Sequence, residues 1–300
     1  MRRRQLISSA LLFLTAVIWG TAFAAQSVGA EYVGPWTYVA VRYMFSAIVL
    51  LPITYWTTKC SRNKLKDRPP EDREQNYLTG GICCGTMLAL SSIVQQAGIR
   101  YTSAGKAGFI TALYVILVPI LGLFIGKRPS KRIWLCATVG LAGLYLISVK
   151  ENFSIGRGDA LVMLCALFFS VHILCVDYFS SKLENLIKLS NLQFLFAAAI
   201  GSLGMIAFER FDLSGVKLAI WSLLYAGVFS GAVGYTLQVV AQKDTDPTVA
   251  SLIMSLESVF SALSGWIILG QVMSRRELLG CVFVFLAVVL AQVMVEGKSG

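Results

Sequence analysis

The sequence predicts an all-α integral membrane protein: ten transmembrane helices arranged as two inverted five-helix repeats. Three observations lead there. The chain of 300 residues is 56% hydrophobic and 14% charged, with a mean hydropathy of +0.70, whereas soluble domains carry about 25% charged residues. Its apolar residues fall into ten stretches long enough to cross ~30 Å of hydrocarbon at 1.5 Å per residue. One of those stretches, Phe109–Lys131, has a second copy at Leu252–Arg275. Phe109–Leu113 matches Leu252–Leu256 at an offset of 143, and Gly126 and Ser130 match Gly270 and Ser274 at 144.

The first half holds spans at Leu6–Ser27, Pro35–Thr57, Asn76–Gly98, Ser103–Ile125 and Ile133–Val149. The second holds Asp159–Val176, Lys188–Phe208, Leu218–Ala241, Pro247–Leu269 and Leu278–Val295. The two repeats accordingly run over 6–149 and 158–295. Met1–Arg4 and the apolar run after it resemble a signal peptide, with Ala22-Phe23-Ala24 in the place of a cleavage site. The run continues uncharged to Ala30, and removal would leave the first half one helix short, so it reads as a retained span. Connections are short except Lys59–Gln75, a mixed-charge stretch containing Pro69-Pro70 that reads as a solvated loop. No stretch is left over for a soluble catalytic or output domain.

The net charge of +10 reflects orientation rather than nucleic-acid binding. Of 26 basic residues, 17 fall in the segments on the N-terminal side of the membrane and eight in the opposite ones, with Arg42 inside a span. The positive-inside rule then places both termini in the cytoplasm, in the inner or plasma membrane. Five spans per half is an odd number, so the second half enters the bilayer upside down relative to the first. Transporters use such repeats to rock two bundles about one central site. Weaker matches agree: Ala16–Gly20 falls opposite Ala166–Ser170, and Arg42-Tyr43 opposite Gln193-Phe194. Packing alone could also preserve such similarity.

Metal and cofactor chemistry finds little support. There is one histidine, the seven cysteines form no C-x-x-C, and six of them lie in apolar spans as small hydrophobes. No P-loop occurs, which argues against ATP drive, and no Gly-x-Ser-x-Gly marks a nucleophile. No cofactor is expected. An intramembrane enzyme and a non-transporting scaffold or sensor stand as the alternative functional classes.

The pattern resembles the EamA family of the drug/metabolite transporter superfamily over about Leu6–Val295. The resemblance is carried by Trp19-Gly20, Arg42, Leu256-Glu257-Ser258-Val259-Phe260 with Leu269-Gly270, and Leu113-Tyr114 with Pro119 and Gly126–Pro129. It implies a transporter, often an exporter of amino acids, other metabolites or toxic compounds, with no particular substrate. Two positions depart from the family pattern. Its usual Glu-Pro is here Glu257-Ser258, which changes the expected helix kink, and its usual Glu after the terminal Gly is Lys127 and Gln271.

Ionisable groups within a bilayer cost at least ~2.5–3.5 kcal/mol, so each present needs a reason. Glu257 lies near the midplane of its span, on a face with Met254, Ser261, Ser264 and Ala250. A carboxyl held there could cycle protons or bind a cationic group, or be a structural acid paired with Arg42. Arg42, seven residues inside its span, could snorkel, attract a substrate carboxylate or hold Glu257. Lys106, near its span's end, is expected to snorkel. His172 could relay protons or hydrogen-bond within a helix interface. Trp19 beside Gly20 suits either a cavity wall with close helix approach or ordinary packing. Gln238 and Gln193 lie deepest among the intramembrane glutamines, and Tyr114 and Tyr235 are further candidate walls; interhelical bonding is the competing role for all four. Gly81-x3-Gly85, Gly122-x3-Gly126 and Gly227-x3-Gly231 read as tight-packing seams. The implied site is a midplane cavity between spans 1, 3, 4, 6, 8 and 9. The expected partners are the lipid bilayer and a small-molecule substrate, with protons as the candidate coupling ion and no nucleic acid. The chain would work as a monomer or homodimer.

Overall fold

A computed structural model describes residues 2–62, 70–148, 156–270 and 274–296. Every regular element among them is helical. Helices α1 (Arg2–Tyr32), α2 (Pro35–Arg62) and α3 (Pro70–Ile99) are followed by a broken helix, α4 (Ala104–Thr111) and α5 (Tyr114–Phe124). Next come α6 (Lys131–Ser148), α7 (Arg157–Lys182) and α8 (Leu186–Phe208). Short helices α9 (Leu213–Leu218) and α10 (Ile220–Leu224) lead into a π-helix at Tyr225–Tyr235, continued by α11 (Thr236–Gln242). A second broken helix, α12 (Pro247–Met254) and α13 (Glu257–Leu269), precedes α14 (Arg275–Glu296).

Eight helical stretches among the described residues are long and apolar enough to cross a bilayer. The remaining long helices, α6 and α14, pack on each other. The bundle is inside out relative to a soluble domain. Trp56, Phe124, Trp221 and Ile267 face outward, while Arg42, Gln96, His172, Gln193, Gln238 and Glu257 are buried. An apolar exterior is what a hydrocarbon solvent requires.

Helix starts follow ordinary capping chemistry. Glu209, just past α8, accepts the backbone N–H groups of Trp36 and Thr37 at 3.0 and 2.9 Å and so caps α2. Asp159 accepts the Gly156 N–H at 2.8 Å within the first turn of α7. It also pairs with Lys106 Nζ at 2.6 Å, so that lysine's ammonium is committed to a partner rather than simply snorkelling outward.

Several expectations are corrected. Lys59–Gln75 is not all loop: α2 runs to Arg62 and α3 starts at Pro70, while the central bases at 63–69, the Lys150 link and Gln271 lie outside the described residues. Pro119 does not mark the break of its span. Both broken helices interrupt at repeat-equivalent positions, 112–113 and 255–256, each 143 residues from its counterpart. At the second, Ser255 Oγ and Ser258 Oγ each donate to the carbonyl three residues back at 2.7 Å; the first, at Ala112-Leu113, has no such serine. Gly122-x3-Gly126 is a turn rather than a seam. An added Cβ at Gly126 would meet nothing within 4 Å, and its φ is +81°, matched by +66° at Gly270. The other two seams are tight: a Cβ at Gly85 would lie 2.7 Å from the Gln193 carbonyl, and one at Gly227 2.7 Å from the Arg42 carbonyl.

Candidate functional site

The helices converge on a cavity of about 20 Å³, room for an isolated water-sized group. Four predicted residues line it: Trp19, Arg42, Tyr235 and Glu257. Its walls come from α1, α3, α4, α7, the π-helix and α13, as expected, and also from α2 through Arg42.

Arg42 does not snorkel. It is 2% exposed, and its guanidinium donates from Nη1 to Gln26 Oε1 at 3.3 Å and from Nη2 to Ser230 Oγ at 3.2 Å. The guanidinium carbon sits 4.9 Å from the Tyr43 ring centroid. Nε has no partner. The ion pairs among the described residues join Lys106 to Asp159, Lys127 to Asp177 and Lys188 to Glu74. Neither Arg42 nor Glu257 belongs to them, so the structural role as an Arg42–Glu257 pair is not what the molecule uses.

Glu257 begins α13 and is also 2% exposed. Its position follows from the helix break, which turns the first residue of the second half-helix into the bundle. The equivalent first residue of α5 is Tyr114, wholly buried beside Glu257. Neither Tyr114 Oη nor Glu257 Oε1 has a hydrogen-bond partner within 3.5 Å. Unpartnered buried polar atoms are uncommon in native proteins; Glu257 lines the cavity, whereas Tyr114, a predicted wall residue, does not. The serines on the Glu257 face serve helix contact: Ser261 Oγ donates to the Ala104 carbonyl at 3.1 Å and Ser264 Oγ to that of Gly20 at 3.3 Å. Gly20 permits this approach, since a Cβ there would lie 2.7 Å from the Glu257 carbonyl.

The aromatic wall is continuous. Trp19 donates Nε1–H to the Ser230 carbonyl at 3.1 Å and packs on Tyr235 and Phe169 at ring distances of 4.6 and 5.5 Å. Tyr235 also touches Tyr43 and Phe194. His172, Gln193 and Gln238 do not line the cavity. His172 lies behind Phe169 and Tyr235, and its Nε2 is 3.0 Å from Gln193 Oε1. Gln238 Nε2 donates to Gln242 Oε1 at 2.8 Å, and Gln242 in turn to the carbonyl of Ile173, next to His172.

Sequence reasoning missed Gln26, Ser230 and Phe169 as wall residues. Gln26 was detectable as a polar residue at the end of an apolar run. Gln95, one of the intramembrane glutamines, also lines the cavity and donates to Thr111 Oγ1 at 3.1 Å. Ser230 was hidden by winding. Residues five apart sit about 140° apart around an α-helix, but a π-helix, with its i→i+5 bonds, brings Ser230 and Tyr235 to one face.

At the end of the bundle holding the α1 C-terminus, a wider opening of about 370 Å³ is lined by Ser27, Glu31, Arg100 and Thr102, one turn beyond Phe23, Gln26 and Gln95.

A family model described as "EamA-like transporter family" matches residues 6–149 and 156–292. An uncharacterized transporter of Archaeoglobus fulgidus is 28% identical over 97% of this chain and 88% of its own length. PagO of Salmonella typhimurium is 23% identical over 92% and 90%, and YoaV of Bacillus subtilis, an uncharacterized transporter, 20% over 89% and 90%. One solved crystal structure superposes with a TM-score of 0.74 at 17% identity, covering 98% of this chain and 99% of that one.

Proposed function

The chain belongs to the EamA-like transporter family, and on that premise we propose that it is a secondary transporter exporting small metabolites such as amino acids, or toxic compounds, by alternating access. It is a multi-pass integral membrane protein of a transporter family, and several of its relatives carry transporter names. In the proposed arrangement ten spans form two inverted five-helix repeats, 6–149 and 158–295, around the cavity. Both termini face the cytoplasm, across the inner or plasma membrane. Repeat-equivalent residues that meet in the bundle support this reading. Trp19 packs on Phe169 at 5.5 Å and Tyr43 stacks on Phe194 at 5.8 Å, while Tyr114 neighbours Glu257.

One observation carries the assignment: Arg42 and Glu257 line the same cavity without pairing. A buried cation lacking a carboxylate and a buried carboxyl with an unpartnered oxygen complement a solute that bears both charges. In a conformation opened beyond this water-sized cavity, an amino acid offers its carboxylate to Arg42 and its ammonium to Glu257, with the side chain toward Trp19, Phe169 and Tyr235. Binding such a solute satisfies groups that are costly to leave unmatched. Glu257 is the proposed carrier of any coupled proton. Monomer and homodimer fit the arrangement equally.

The test compares extracellular metabolites and toxin tolerance between a deletion strain and an overproducer. Accumulation outside the overproducer of a compound retained by the deletion strain is the expected result. If no compound moves differently in either direction, the transporter reading fails.

A further inference from the structure

Behind the cavity wall lies a second polar cluster that the proposed binding mode does not use. His172, Gln193 and Gln238 are each wholly buried. With His172 Nε2 bonded to Gln193 Oε1, three atoms are left without partners: His172 Nδ1, Gln193 Nε2 and Gln238 Oε1. His172 and Gln193 link α7 to α8, and Gln238 of α11 is tied to the same level of α7 through Gln242, which donates to the Ile173 carbonyl; apolar side chains would serve the packing as well. Several buried polar atoms unsatisfied in one place call for something that satisfies them in another state.

Its position in the chain says what that state is. Gln193 follows Arg42 by 151 residues, close to the 150 that sets Phe169 opposite Trp19, and Gln238 follows Gln95 by 143, the offset that sets Leu252–Leu256 opposite Phe109–Leu113. The cluster is therefore the repeat counterpart of the cavity's own polar residues. Tyr235 and Phe169 stand between the two. Tyr235 meets Trp19 at 4.6 Å on the cavity side and His172 at 5.9 Å on the other, and Phe169 meets the same two side chains at 5.5 Å each. The cavity lies toward the α1 C-terminus, whereas the cluster lies toward the α11 C-terminus, where Gln242 bonds the Ile173 carbonyl at 3.1 Å. The chemistry of the halves differs. Gln193 stands where the first repeat has Arg42, and Tyr114 stands where the second has Glu257.

We propose that His172, Gln193 and Gln238 form a second, uncharged half-site on the transport path. It rests on the transporter reading above and takes the uncharged hydrogen-bonding groups of the solute once the aromatic pair has moved aside. A solute held by charge in one half is held only by neutral hydrogen bonds in the other, so it leaves more readily from the second half. The repeat supplies two stations of unequal strength from one fold.

The test is water access, which requires no identified solute. Single cysteines at Gln193→Cys, Gln238→Cys and Gln95→Cys, in a full chain whose native cysteines are replaced by alanine, are exposed to a membrane-impermeant methanethiosulfonate. Intact cells and inverted vesicles present the two faces. Leu223→Cys, buried on α10 in a separate cluster with Val33 and Tyr38, is the control. Gln193→Cys and Gln238→Cys should react from the face opposite to that of Gln95→Cys, about tenfold or more faster than Leu223→Cys, because only a wetted thiol ionises to the thiolate that attacks the reagent. Reaction at Gln95→Cys with none above control at the other two overturns the half-site and leaves the transporter reading standing. Silence at all three removes both. A mixture of the proteinogenic amino acids should protect Gln95→Cys more than Gln193→Cys, and equal protection overturns the inequality of the stations. Hydroxyl-radical oxidation of the unmodified chain guards against misfolded variants. His172 should be oxidised well above Tyr38, an equally buried residue, and parity between them overturns the proposal.

Discussion

Replacing Arg42 by Met separates the two roles a buried cation can have. Removing a charge of this kind from water costs several kcal/mol, and Arg42 is 2% exposed. Against that stand two hydrogen bonds at 3.2 and 3.3 Å, worth ~1.5–3 kcal/mol each for a charged donor. The contact with the Tyr43 ring at 4.9 Å adds ~2 kcal/mol when desolvated. The terms nearly cancel, and methionine fills much of the same volume, so the unfolding free energy should shift by less than about 2 kcal/mol in either direction. Solute binding has no such cancellation. Losing one charge-assisted hydrogen bond of ~1.5–3 kcal/mol weakens affinity about 10- to 100-fold. Denaturant unfolding of the purified protein and uptake by proteoliposomes give the two readouts. A stability loss above about 4 kcal/mol, with transport falling only in proportion to folded protein, would refute the argument, because it would make Arg42 a structural residue.

Three further outcomes follow from the same contacts. Glu257→Gln keeps the shape of the side chain but cannot exchange a proton, so transport by proteoliposomes should lose its dependence on pH; an unchanged rate and profile would take Glu257 out of the mechanism. Asp159→Asn removes the carboxylate that accepts from Lys106 Nζ at 2.6 Å, Gly156 N–H at 2.8 Å and Thr102 Oγ1 at 2.9 Å and should destabilise the protein by about 1–2 kcal/mol, allowing for a lysine that is partly exposed. Thermal unfolding reads the loss, and an unchanged midpoint would count against the contact. Glu209→Ala strips the cap from α2, where two backbone donors and the Thr37 hydroxyl bond the carboxylate at 2.7–3.0 Å, and should cost about 1–2 kcal/mol in the same assay.

The helical layout was legible because hydrocarbon imposes a coarse rule, about 20 apolar residues per span, that composition reveals directly. Glu257 and Arg42 stood out for the same reason: a charge in such a run has to be accounted for. What the sequence concealed depends on local winding and on which face a residue finally presents. Ser230 joins the cavity only because its segment is a π-helix, and a 3.6-residue period assigns it elsewhere. Pro119 is the one residue of its span whose chemistry breaks helices outright, yet the chain bends at 112–113 and again at 255–256, where no proline stands. His172, Gln193 and Gln238 were correctly singled out as polar residues at depth, but sequence position alone could not place them behind the aromatic wall.

The pairing of α6 with α14 carries a consequence for biosynthesis. The two helices touch closely: a Cβ at Gly143 would lie 2.7 Å from both the Gly280 carbonyl and the Val284 nitrogen. Yet α6 ends at Ser148 and α14 does not begin until Arg275. At roughly 5–20 residues per second of translation, the partner leaves the ribosome about 6–25 s later. For that interval the glycine-lined flank of α6 faces lipid or the insertion machinery instead of its mate. A contact opened by α6 closes only once α14 has emerged, so a nascent protein cannot seal this flank until that later helix is made.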